Sequence, residues 1–97
     1  MDEAIDIVNH MMANDAFSRW LGIEVVHAEV GSVVLSMTVR EEMTNGFKIA
    51  HGGISYSLAD SALAFASNGG GTQSLSVETS INHLSPVQSG ETLIATA

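Results

Sequence analysis

The sequence predicts an α+β fold in which an antiparallel β-sheet wraps one long central helix. The segment from Gly52 to about Asn68 has helical periodicity but is apolar or small on almost every side, which is typical of a helix buried on most of its surface. The runs around it alternate like half-buried strands: "IEVVHAEV", "SVVLSMTVR" and "QSLSVETSINHL". A sheet around the helix would give it apolar neighbours on several sides.

The size and charge of the chain narrow the classes of protein that it can be. Its 97 residues, 45% of them hydrophobic, predict a single globular domain over residues 1–97. A formal charge of −8 argues against nucleic acid and anionic membranes as partners. The chain has no cysteine, and the start "MDEAIDIVNH" lacks a signal-peptide pattern. With no apolar run long enough to span a membrane, we expect a cytoplasmic protein.

The first part of the chain predicts two helices. Ile5, Val8 and Met12 recur at helical spacing. "DAFSRWLG" follows as a second, short helix, with Asp15 as its N-cap and Gly22 as its end.

The strands come next. Gly31-Ser32 separates the first two runs, and a two-residue loop with glycine first suits a type II′ hairpin. One face of the second run is apolar: Val33, Leu35, Met37 and Val39. After the central helix, a long alternating run predicts a strand with one shared face: Leu75, Val77, Thr79, Ile81 and His83. "TLIATA" begins a further strand, so we expect closing strands to be missing or to lie beyond Ala97.

Asp60 is the residue that fits its surroundings least. It is the one residue with a full charge between Lys48 and Glu78, and it lies in the apolar helix. It could occupy an exposed sliver of that helix or cap a local group, since unpaired acids are rarely buried. The functional interpretation is a catalytic carboxylate in a half-dry cleft.

The sequence "HGG", from His51 to Gly53, opens the same helix. Turn chemistry alone can explain it, with glycines that let the chain bend and a histidine beside the N-cap. Alternatively, the free N–H groups of a helix's first turn carry partial positive charge, and glycine lets a substrate oxygen approach them. Such an arrangement is an oxyanion hole for a carbonyl.

Other polar residues support less specific hypotheses. Asn45 opens an Asn-Gly turn, and Ser76 is a polar residue on a strand face. The histidines show no metal-ligand spacing, so we expect no metal.

The segment "NGFKIAHGGISYSLADSALAFASN", followed by "SVETSINHLSP", resembles the hotdog-fold acyl-CoA thioesterases. The branch it is most similar to is the phenylacetic-acid-degradation thioesterases, and the likeness reaches back to "LGIEV" and on to "GETLIATA". The resemblance implies a helix wrapped by a sheet, and a homodimer with shared active sites within a homotetramer. Family members usually extend beyond this length, with the last strands in the added part.

The resemblance also implies roles for particular residues. Asp60 would be the base or nucleophile, Gly52 the N–H that polarises the carbonyl, and Ser76 the residue that holds water. Asn45 and His51 would assist around the thioester. From the residues themselves, Gly53 and Lys48 would contact substrate, with Arg40 as a further basic residue near the site. Either these groups suffice for the phosphates of coenzyme A, or a part beyond Ala97 contributes.

The function implied is hydrolysis of an acyl-CoA, with an aryl-acetyl group such as phenylacetyl or hydroxyphenylacetyl as the preferred acyl part. No cofactor is expected, because coenzyme A belongs to the substrate. A non-catalytic acyl-CoA-binding module stays open as an alternative, and it could dispense with Asp60. A hotdog hydratase or dehydratase is the other alternative, although it would need a catalytic histidine in a different context.

Overall fold

A computed structural model of the chain describes residues 3–97, so residues 1 and 2 of the expected domain lie outside the described part. It confirms the α+β class, with helices packed on one face of an antiparallel sheet. In chain order the elements are α1 (Ala4–Asn14), α2 (Ala16–Leu21), β1 (Glu24–Glu29), β2 (Ser32–Thr38), a 3-10 turn (Glu41–Met43), α3 (Gly52–Asn68) and β3 (Thr92–Thr96).

The sheet has the order β1-β2-β3, and both pairs of neighbours are antiparallel. Alternation along β2 places one set of side chains on the inner face, and these are fully buried as predicted: Val33, Leu35, Met37 and Val39. The hairpin loop was predicted one residue too late. Because Glu29 pairs with Ser32, the loop is Val30-Gly31, and its positive φ of 75° falls on the second residue. Glycine tolerates that conformation, which belongs to a type II turn and not to the predicted type II′.

The short helix α2 has the ends that the sequence predicts. The Asp15 carboxylate accepts a hydrogen bond from the Ser18 N–H at 2.9 Å, and Gly22 adopts the left-handed conformation that ends the helix. In α1, Val8 is buried as expected. Its partner on the buried face is Ala4, because Ile5 lies on the exposed side.

The central helix α3 has the predicted bounds but not the predicted burial. One face packs against β2 and β3 through buried Leu58, Ala62 and Phe65. Another stripe is exposed: Ala59, Asp60, Leu63 and Ser67. A sheet of three strands covers only one side of the helix in the described part of the chain.

The largest difference from the sequence prediction lies in the segment 72–87, where a long strand was expected. It follows α3 without strand structure, although its apolar and polar residues alternate. A strand needs a neighbour to accept and donate its backbone hydrogen bonds, and no strand pairs with this segment within residues 3–97. In the described chain its one backbone contact of this kind is at its end, where the Ala50 N–H donates to the Val87 carbonyl at 2.7 Å. Its apolar side chains are consequently exposed, Leu75 by 86% and Val77 by 101%.

Candidate active site

The first backbone N–H groups of α3 differ in whether they have an acceptor. His51 is the N-cap, and its Nδ1 accepts a hydrogen bond from the Gly53 N–H at 3.1 Å. The next N–H, of Ile54, donates to the His51 carbonyl at 2.9 Å. Within residues 3–97 the Gly52 N–H has no acceptor. The His51 side chain therefore occupies the Gly53 N–H, which we expected to contact substrate. The Gly52 N–H stays available.

Gly52 borders a pocket at this end of the helix, which we call the helix-start pocket. Its lining comes from the Asn45 loop, the first turn of α3 and the end of the segment 72–87: Asn45, Ile49, Ala50, Gly52, Ser55, His83, Leu84, Ser85, Pro86 and Val87. His83 lies closest to Gly52, since a Cβ built on that glycine would be 3.2 Å from Nε2 of the imidazole. The pocket thus brings a backbone donor and an imidazole together.

Asn45 occupies the turn that the sequence predicted and also borders the helix-start pocket. Its side-chain Oδ1 accepts hydrogen bonds from the N–H groups of Phe47 at 2.9 Å and Ile49 at 3.5 Å. The turn is closed by the Lys48 N–H, which donates to the Asn45 carbonyl at 3.0 Å. Asn45 can therefore both open the turn and border the pocket, so the two hypotheses drawn from the sequence are compatible.

Asp60 borders a different opening, which we call the mid-helix cleft. It has a volume of about 380 Å³, and its lining joins the exposed stripe of α3 to the segment that follows it: Asp60, Leu63, Ala64, Ser67, Ser74, Leu75, Ser76, Glu78 and Thr79. The structure thus brings Asp60 and Ser76 to one cleft. Asp60 itself is exposed in the single chain, not half-dry.

Gly52 and Asp60 lie too far apart on α3 to act on one carbonyl. Eight residues along a helix correspond to about 12 Å at 1.5 Å per residue. Eight steps of 100° also leave the two residues about 80° apart around the axis. In agreement, they border different openings, the helix-start pocket and the mid-helix cleft.

Arg40 and Lys48, the two basic residues that the sequence suggested near the site, differ in how firmly contacts hold their side chains. The Arg40 guanidinium lies 4.9 Å from the centre of the Trp20 ring, donates to the Trp20 carbonyl at 2.8 Å and pairs with Glu42 at 3.2 Å. These contacts hold it between α2 and the end of β2. Lys48 lies on the exposed turn beside Asn45 and makes no ion pair within residues 3–97. Lys48 is thus the less constrained of the two basic side chains within the described residues.

Two residues at the site escaped sequence reasoning. His83 was assigned to a strand face, and Glu78, which shares the mid-helix cleft with Asp60, received no role. Their place in the alternating run gave no sign of which end of α3 each would meet. Among residues 3–97, no group of three or more acidic or histidine side chains could hold a metal ion. None of the described helices is long and apolar enough to cross a membrane.

A long helix packed against an antiparallel sheet is the arrangement expected of the hotdog class of proteins. Comparison with protein families agrees, because the model of the "Thioesterase superfamily" matches residues 47–97. The chain belongs to this superfamily.

Individual relatives show how far the likeness extends. The acyl-coenzyme A thioesterase PaaI of Escherichia coli is 41% identical over 87 residues, which are 90% of this chain and 62% of that protein. Human acyl-coenzyme A thioesterase 13 is 35% identical over 95 residues, 95% of this chain and 68% of that one. The chain therefore spans about three-fifths to two-thirds of the length of these relatives.

Comparison with solved structures also supports the hotdog class. The E. coli PaaI protein from the phenylacetic acid degradation operon superimposes with a TM-score of 0.93 at 39% identity, over 96% of this chain and 67% of that one. A Streptococcus mutans protein bound to acetyl-CoA superimposes with a TM-score of 0.71 at 29% identity, over 74% of this chain and 58% of that one. These structures confirm the hotdog fold.

Proposed function

We propose that the protein hydrolyses an acyl-CoA thioester to a free acid and coenzyme A. The observation that carries this proposal is the Gly52 N–H, which the His51 cap leaves without an acceptor at the start of a 17-residue helix. A thioester carbonyl placed there would gain a hydrogen bond as its oxygen becomes negative, and the partial positive charge of the helix start would add to it. The names of two relatives, both acyl-CoA thioesterases, support the same chemistry.

Asp60 acts as the general base or as the nucleophile of the reaction. It either activates a water molecule, which then attacks the carbonyl carbon, or attacks that carbon itself to give an anhydride that water opens. In both routes the carbon–sulfur bond breaks and coenzyme A leaves as the thiolate. The thiolate takes the proton that Asp60 removed from the attacking water or, in the anhydride route, a proton from solvent. Ser76 holds the water in this proposal, and its position in the lining of the same cleft as Asp60 supports that role. The reaction needs no metal and no organic cofactor.

Each active site is built from two chains. An oxyanion donor must lie about 3 Å from the carbonyl oxygen, and the attacking group within about 3.5 Å of the carbonyl carbon. One α3 helix cannot meet both conditions with Gly52 and Asp60. Two α3 helices side by side across a two-fold axis can, with Gly52 of one chain facing Asp60 of the other. The working form is accordingly a homodimer, and a homotetramer is the expected assembly.

The preferred acyl group is an aryl-acetyl group. The support is the E. coli relative, whose structure is named for the phenylacetic acid degradation operon. The coenzyme A part carries phosphates, and in this proposal Lys48 binds them; its exposure on the turn beside Asn45 supports that role. The S. mutans neighbour, which was solved with acetyl-CoA, supports coenzyme A as the carrier. A cytoplasmic location stays the expectation from the sequence.

The direct test is release of free thiol from a panel of acyl-CoAs. The panel contains phenylacetyl-CoA, hydroxyphenylacetyl-CoA, acetyl-CoA and a long straight-chain acyl-CoA. Hydrolysis, fastest with the aryl-acetyl substrates, is the expected result. Binding of these substrates without any thiol release would instead identify a non-catalytic acyl-CoA-binding module.

His83 gives a second candidate function a specific basis. An imidazole beside a polarised carbonyl could move the proton in hydration of an enoyl-CoA, and His83 lies against Gly52. Loss of the enoyl absorbance from a short enoyl-CoA, with no thiol released, would favour this hydratase over the thioesterase.

A further inference from the structure

The chain contains the dipeptide Asn-Gly twice, at Asn45-Gly46 and at Asn68-Gly69. In this dipeptide the asparagine is chemically labile, since the backbone nitrogen of the following residue can attack the side-chain amide carbon. Glycine permits the attack because no Cβ obstructs it. The surroundings of each pair decide whether the reaction proceeds, and they differ sharply in this structure.

The pair Asn68-Gly69 is held at every reacting group. The Asn68 Nδ2 donates to the carbonyls of Ala64 at 2.8 Å and Ser74 at 3.1 Å, and Oδ1 accepts from the Ser74 N–H at 2.6 Å. The Gly69 N–H, which would have to attack, donates to the Phe65 carbonyl at 2.9 Å. Ring closure at this position would have to break all of these hydrogen bonds.

The pair Asn45-Gly46 has the opposite arrangement. Neither the Gly46 N–H nor the Asn45 Nδ2 has a hydrogen-bond partner within residues 3–97. Gly46 is exposed, and a Cβ built on it would meet no atom within 4 Å. The Asn45 Oδ1 accepts hydrogen bonds from Phe47 and Ile49, at 2.9 and 3.5 Å. These donors would stabilise the negative charge that Oδ1 acquires during the attack, as an oxyanion hole does.

We propose that Asn45 is a site of spontaneous self-modification, where the turn itself promotes deamidation. The Gly46 nitrogen gives up its proton to solvent and bonds to the Asn45 Cγ. The amide Nδ2 takes a proton from solvent, the bond between Cγ and Nδ2 breaks, and ammonia leaves. The cyclic imide then takes up one water molecule. It opens to aspartate, or to isoaspartate if the backbone carbonyl is attacked. Water is the only co-reactant, and nothing is oxidised or reduced.

The expected effect of deamidation on activity rests on the proposed function, whereas the deamidation reaction itself does not depend on it. Asn45 borders the helix-start pocket together with Gly52. A carboxylate formed at Asn45 would add negative charge beside the N–H that must receive the carbonyl oxygen, and it would disfavour the developing oxyanion. Isoaspartate would also lengthen the backbone within the turn. Either product should lower thioester hydrolysis, so the enzyme would lose activity as it ages.

The test follows both dipeptides in one sample. The wild-type protein is kept in mildly alkaline buffer, and portions are taken over time for peptide mass spectrometry and for thioester hydrolysis. We expect acid and isoaspartate to accumulate at Asn45, with Asn68 unchanged, and activity to fall in step with the conversion. Equal conversion at Asn45 and Asn68, or an unchanged Asn45, would overturn the proposal.

Gly46→Ala is the matched control. The added methyl group has open space and hinders attack by the nitrogen, so this variant should start at wild-type activity and keep both Asn45 and its activity. Fresh Asn45→Asp should reproduce the low activity of aged wild type. If Asn45 converts while activity stays constant, the link to function is wrong although the chemistry stands. If neither fresh nor aged protein hydrolyses a thioester, the proposed function fails, and the mass readout still decides the modification.

Discussion

The imidazole of His83 packs against Gly52, the first residue of α3, and a Cβ added to the glycine would lie 3.2 Å from Nε2. Such a contact is closer than side chains normally allow, so the ring must move if the glycine is replaced. The residue that offers the N–H is therefore also the one that permits the approach of His83. This relationship has a consequence that can be measured.

We expect Gly52→Ala to lower kcat/KM because the added methyl group forces the His83 ring to move by a few tenths of an ångström in the helix-start pocket. Since the N–H remains, the loss should be smaller than the roughly 10²–10³-fold typical of removing an oxyanion-hole donor. The double variant Gly52→Ala/His83→Ala should recover part of the loss, since the smaller side chain removes the clash. Gly52→Pro lacks the N–H, and removal of His83 should not rescue it. Steady-state kinetics with the best substrate of the panel would measure kcat/KM for the wild type and each variant. Equal activity of the alanine variants with and without His83 would show that the clash is not the cause.

Asp60→Asn should abolish most of the turnover while leaving substrate binding largely intact. The shape of the side chain is kept and only its basic charge is lost, and general-base assistance is typically worth about 10²–10⁴ in rate. Asp6→Asn, at an exposed aspartate of α1, is the matched control and should be neutral. A decrease in kcat of less than about tenfold at Asp60 would mean that its role is structural.

The shared site predicts complementation between two inactive variants, Asp60→Ala and Gly52→Pro. When they are refolded together, a mixed dimer has one site with both lesions and one with neither. Because half of randomly paired dimers are mixed, activity should return to at most about a quarter of wild type. Mass spectrometry would confirm that mixed dimers form. If such dimers are present and remain inactive, the active site does not span two chains.

The buried hydroxyl pair between α2 and α3 should show strong coupling in stability. The Ser18 hydroxyl lies 2.6 Å from the Asp15 carboxylate and 2.7 Å from the buried Ser61 hydroxyl. Ser18→Ala leaves the Ser61 hydroxyl without this partner, which should cost about 1–3 kcal/mol in the free energy of unfolding. Ser18→Ala/Ser61→Ala should be less destabilised than the sum of the single variants, as urea denaturation would show. Additive losses would mean that the hydroxyls do not interact.

The chain should also associate with itself. Leu75, Val77 and Leu84 are 86%, 101% and 91% exposed, and the backbone of their segment has no strand partner within residues 3–97. Exposed apolar side chains on an unpaired strand-forming segment favour association. Analytical ultracentrifugation at micromolar concentration should therefore show a dimer or larger species. A well-folded species of 10.2 kDa would contradict this and the shared site with it.

Features that depend on local chemistry could be predicted from the sequence. The bounds of α3, the inner face of β2 and the ends of α2 at Asp15 and Gly22 were all predicted correctly. Each of them follows from a side-chain period or from a cap whose partners lie within a few residues. The hairpin loop differed by one residue, because turn propensity alone does not fix the register between β1 and β2.

Features that depend on distant neighbours were decided only by the tertiary structure. Alternation showed that the segment 72–87 could form a strand, but a strand exists only where another segment completes its hydrogen bonds, and the described chain supplies none. The same dependence left Asp60 exposed and placed His83 against Gly52. The sequence by itself therefore supplied candidates for the chemistry, Asp60 and Gly52 among them, but not His83. The packing of segments far apart in the chain determined which of them meet, because contact energies and not local propensities set those distances.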